Sequence, residues 1–99
     1  MIKIIAIRKD ENFHGDEPHL GVTAFKWVNE QDQTTGETSL RAMYDWIVNK
    51  KGKAFIRDSQ GNQVFIFGAI SNTTGQQYLR AAQDGRWTDD LLSENIPAF

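Results

Sequence analysis

Cysteine is absent from the chain, which removes disulfides, thiolate metal sites and a cysteine nucleophile and fits a reducing compartment. No apolar run approaches the roughly 20 residues that span a bilayer as a helix, so no membrane partner is expected. The apolar opening Ile2-Lys3-Ile4-Ile5-Ala6-Ile7-Arg8 is brief and lacks a cleavage site. It reads as a first strand and not as an export signal, and the cytoplasm is the expected location. Positive charge is not in excess either. The net charge is −2, whereas a dedicated nucleic-acid binder draws most of its affinity from neutralising phosphates. A local basic patch is still compatible with that balance. Also missing are a phosphate-cradling glycine loop, a G-x-S-x-G elbow and an H-E-x-x-H pair. No cofactor is implied, and the chain is not expected to be an enzyme.

What is present suffices for one core. Residues 1–99 have the length of a single domain, and 39% of them are apolar. A chain of this size buries roughly 60–70% of the surface it exposes unfolded. The β-branched run 2–8 predicts a strand covered on both faces at one end. Lys9–His19, with Gly15 and Pro18, is a polar loop. Residues 20–28 predict a second strand, with Leu20, Val22, Ala24 and Val28 on one side and Thr23, Phe25 and Trp27 on the other. Asn29–Gly36 reads as a second polar connection.

Leu40, Met43, Tyr44, Ile47 and Val48 follow helical spacing and predict a helix over Leu40–Lys50. Thr38 or Ser39 can cap it, and Gly52 supplies the stop. Lys53–Arg57 and Asn62–Ile70 predict a hairpin closed by Asp58-Ser59-Gln60-Gly61, whose Asp and Gly suit a type I turn followed by a left-handed glycine. A further strand is expected over Gln76–Ala81, followed by turns at Asp84-Gly85. A helical turn capped by Thr88 comes last, with Trp87 stapled against Leu92. The resulting class is α+β, ordered β-β-α-β-β-β. It has one twisted, mainly antiparallel sheet of about five strands, one helix packed on it and a short C-terminal helical turn.

Four groups of residues invite a functional reading. Phe25, Trp27, Phe65 and Phe67 are strand aromatics, and one sheet face must find a cover other than the helix. Such a face serves as a partner-binding patch or a homodimer interface unless Trp87–Phe99 folds across it. Lys50, Lys51, Lys53 and Arg57, near Trp46 and Phe55, interleave cations with aromatics as a single-strand stacking surface does. The plainer account gives the lysines to a helix terminus and Phe55 to the core. His14 and His19 lie in an acidic loop and suggest a weak divalent-metal site, set against a simple solvated connection. Asp84, Asp89, Asp90 and Glu94 form an acidic end that turn and helix-terminus charges already explain.

Taken in order, several segments resemble a family of short bacterial and phage proteins catalogued as domain of unknown function 3892. They are Ile4-x-x-Ile7-Arg8, His19-Leu20, Trp27, Met43 with Ile47, Tyr78-Leu79-Arg80 and Asp89-Asp90-Leu91-Leu92. The resemblance covers nearly the whole chain. It departs at the end, where Asp90 stands in place of the family's asparagine and Ser93-Glu94-Asn95-Ile96 separates Leu92 from Pro97. The family has no assigned activity, so the resemblance implies a single small domain and no chemistry.

The expected function is a non-enzymatic interaction module whose partner is another protein or a second copy of the chain. A nucleic-acid-binding accessory protein is the first alternative, and a metal-binding protein through His14 and His19 is the second.

Overall fold

The computed structural model describes residues 1–13, 15, 18–93 and 95–99. Strand β1 (Ile2–Lys9) is followed by a 3-10 turn (Pro18–Gly21), then β2 (Val22–Asn29) and β3 (Thr35–Ser39). Helix α1 (Leu40–Val48) leads to β4 (Ala54–Arg57), β5 (Gln63–Ile70), β6 (Gln77–Gln83) and β7 (Arg86–Thr88), and a 3-10 turn at Asp90–Leu92 comes last. One seven-stranded sheet has the order β3-β2-β1-β4-β5-β6-β7. All neighbours are antiparallel except β1 and β4, which run parallel because α1 carries the chain back across the sheet.

The α+β class and the mainly antiparallel sheet agree with the sequence; the strand count does not. The sheet has seven strands where about five were expected, and the C-terminal helical turn is a short 3-10 turn. The two extra strands are its edges. β3 (Thr-Gly-Glu-Thr-Ser) and β7 (Arg-Trp-Thr) bury no side chain fully, so neither carries an apolar signature. Their ladders to β2 and β6 hold them.

Helix α1 forms where its apolar stripe demands. Ser39 is the cap, its Oγ accepting from the Ala42 N–H at 3.3 Å. The helix ends at Val48, with Lys51 taking a left-handed φ of 59°. Gly52 is not the left-handed stop; it lies against the Trp46 indole, where a Cβ would collide. Met43, Tyr44 and Ile47 are buried on the sheet. Gly68 in β5 lets the helix approach, since a Cβ there would strike Val48 and Tyr44. The β4–β5 turn forms as expected, with Gly61 at φ 83° donating to the Asp58 carbonyl at 3.0 Å.

Register fixes the two faces, because paired residues project to the same side. Ile2, Ile4, Trp27, Ala54, Ile56, Val64, Ile66, Leu79 and Ala81 share the side of Gly68 and meet the helix. An irregularity between Ile4 and Ala6 lets Ile7 join that side, opposite Phe25. After β7 the chain buries Leu91 and Ile96 in the core. Its end then lies parallel beside β1, with the Ile7 N–H donating to the Pro97 carbonyl at 3.0 Å and the Phe99 N–H to the Ile7 carbonyl at 3.1 Å.

Candidate functional site

The far side of the sheet, away from α1, carries Phe55, Phe65, Phe67, Arg57, Arg80, Ala82 and Trp87. Phe55 pairs with Phe65, Phe67 with Arg80, Phe65 with Ala82, and Ala82 with Trp87. Phe55 is fully buried, and the Arg57 guanidinium lies over its ring at 5.2 Å while Phe65 meets it edge-on at 6.4 Å between centroids. Outward from that anchor the rings come into the open. Phe65 is half-buried, Phe67 is 48% exposed and Trp87 is 50% exposed. The question of whether Trp87–Phe99 hides this face therefore has a divided answer. Leu91 and Ile96 enter the core, but Trp87 stays on the surface and extends the aromatic strip instead of covering it.

Cations accompany these rings. Phe65 and Phe67 line one groove of about 370 Å³ at the end of α1, together with Lys51, Gly52 and Lys53 and with the helix-side residues Ile47, Ala54 and Ile66. On their other flank they line a second groove, of about 350 Å³, with Gln63, Ala82, Gln83 and Asp84. Arg80, paired with Phe67, has its guanidinium 5.9 Å from the Trp87 ring centre and 3.0 Å from the exposed Asp89 carboxylate. The strip thus sets apolar rings beside hydrogen-bond donors.

The structure redistributes the residues singled out from the sequence. It joins Phe65 and Phe67 with Lys51 and Lys53 in one groove. Phe25 is fully buried on the helix side and offers no surface. Trp27 is also on that side, half-buried, with its Nε1–H donating to the Thr38 Oγ1 at 2.9 Å and its ring against Gly36. With Trp46, Ile2 and Met43 it lines a separate apolar groove of about 350 Å³. Trp46 packs at the helix edge, against Gly52. Lys50 pairs with Asp45 at 3.7 Å, as an exposed helix-end ion pair. Arg57 is engaged with Phe55 and with the Gly61 carbonyl, at 3.2 Å.

The loop and acidic candidates gain nothing. His14 and Glu94 lie outside the described residues. His19 is 5% exposed, and its ring packs 6.1 Å from that of Tyr78. No three His, Asp or Glu side chains gather as metal ligands among the described residues. Asp90 accepts from the Thr88 hydroxyl at 2.8 Å, and Asp89 is the Arg80 partner. No helix of the described residues is long and apolar enough to cross a membrane.

Sequence reasoning does not find Trp87 and Arg80 as site residues, the first because its place before Thr88 reads as a helical staple. The signal was available in Asp84-Gly85, whose positive φ values of 54° and 77° make a tight hairpin turn. A two-residue turn there sets Trp87 opposite Ala82, and so on the face of the β5 phenylalanines, across β6 from them. Comparison with family models, with curated proteins and with solved structures finds no match.

Proposed function

We propose that the protein is a non-enzymatic binding module that engages a macromolecular partner through the far side of its sheet, centred on Phe65, Phe67 and Trp87. The observation that carries this reading is the exposure of two large rings, Phe67 on β5 and Trp87 on β7, on one face of the sheet, where no other segment covers them among the described residues. Exposed aromatic clusters of this kind are enriched at the centres of interfaces, where they contribute most of the binding energy. Inside the protein they contribute little, since Phe67 and Trp87 keep about half their surface in water. The resemblance to the family named above belongs to the same proposal, as does a cytoplasmic setting.

The test compares wild type with the Phe67→Ser/Trp87→Ser double variant in sedimentation and in recovery of partners from a host lysate. Loss of self-association or of a reproducible partner on substitution supports the reading. Identical behaviour of the two proteins removes it.

A further inference from the structure

We infer that the partner is a single-stranded nucleic acid whose bases stack on Phe67, Phe65 and Trp87 and whose phosphates meet Lys51, Lys53 and Arg80; the inference rests on the binding-face reading above. Its warrant is an excess of cations on the far side of the sheet in a chain that is acidic overall. By register, the far side displays Lys3, Arg8, Lys26, Arg57 and Arg80 against Glu37, the one acid among the described strand residues, which lies on this side too. Lys51 and Lys53, from the connection after α1, border the groove that Phe65 and Phe67 share with Ile47 and Ile66 at the margin of this face. The net charge of −2 thus conceals a cationic face. Nearby acids are few: Asp84 borders the second groove, and Asp89 is already paired with Arg80.

The rings suit bases better than they suit an apolar protein surface. Phe65 and Phe67, two residues apart on one strand, are spaced by about 7 Å, and Trp87 lies two strands over, about 10 Å away. Phe65 and Phe67 adjoin on one strand face, Ala82 lies between Phe65 and Trp87, and polar groups flank the rings. Arg80 stands between Phe67 and Trp87, and Gln63 and Gln83 border the second groove. A protein-binding centre tends to exclude charge, whereas a single-strand platform alternates rings for bases with cations for phosphates. Sheet faces that bind single strands stack two or three bases on exposed strand aromatics in this manner. Arg80 can exchange the exposed Asp89 for a phosphate without leaving a buried charge behind.

Fluorescence anisotropy of the full chain with labelled oligouridine and oligothymidine of about ten nucleotides tests this, with a duplex of equal length as control. Binding at about 50 mM salt is expected to favour the single strands, to weaken steeply as salt rises and to quench tryptophan fluorescence. Phe67→Ala and Trp87→Ala are each expected to weaken it about tenfold. Lys51→Gln and Lys53→Gln are each expected to flatten the salt slope by about one unit. No binding at low salt, or binding equal for duplex and indifferent to Phe67→Ala, overturns the inference. If oligonucleotides fail but Phe67→Ser/Trp87→Ser still abolishes a nuclease-resistant partner or self-association, the nucleic-acid inference falls and the binding-face reading stands. If that variant changes nothing, both fall.

Discussion

Asp58 shows how one side chain closes a hairpin. Its Oδ1 accepts from the Asn62 N–H at 2.8 Å and the Gln60 N–H at 2.9 Å, and its Oδ2 accepts from the Asn62 side-chain amide at 3.2 Å. The Asn62 backbone N–H above all holds the carboxyl below its ordinary value. A carboxylate lowered in the fold stabilises it fully above its unfolded pKa, near 4, and loses that contribution as the pH falls through the folded value. The stability gap between wild type and Asp58→Asn is therefore expected to shrink on acidification from about pH 5 to pH 2 in urea melts. A gap that stays constant would contradict the assignment. Gly68 makes the opposite kind of point, through what it omits. Alanine there would push on Val48 and Tyr44 and lift α1 from β5, so Gly68→Ala is expected to cost about 1–3 kcal/mol. An unchanged urea midpoint would mean that the helix shifts freely.

The segment after β7 is where structure and sequence part most. With Leu91 fully buried and Ile96 nearly so, it is part of the core and not a trailing turn. Leu91→Ala is expected to cost about 2–5 kcal/mol, as a cavity in a packed interior does, and a change under 1 kcal/mol in the same urea assay would contradict that role. The elements with strong apolar periodicity were legible in the sequence. The stripe Leu40, Met43, Tyr44, Ile47, Val48 located α1, and Asp58 with Gly61 located the β4–β5 hairpin. β3 and β7 were not legible. Thr35–Ser39 and Arg86–Thr88 are held by backbone ladders at the sheet margins, and such ladders leave no trace in side-chain type. The candidate site was half legible for the same reason. Phe65, Phe67, Lys51 and Lys53 were identified from residue type. Trp87 needed the β6–β7 pairing to reach them, and Phe25 and Trp27 could be removed only once register put them on the helix side.

Taken together, the chain places an oily, helix-covered interior on one side of its sheet and a cationic, aromatic strip on the other. If that strip serves binding and not folding, its substitution separates two properties that core mutations lose together. Phe67→Ser and Trp87→Ser, at half-exposed positions, are expected to change stability by no more than about 1 kcal/mol each, the tryptophan losing its contact with Arg80. The most direct measurement is partner recovery and sedimentation of the Phe67→Ser/Trp87→Ser variant beside wild type, at matched folded concentration set by urea melts. The account predicts a variant that is folded like wild type but has lost the associations wild type makes. A variant that retains every one of them would contradict it.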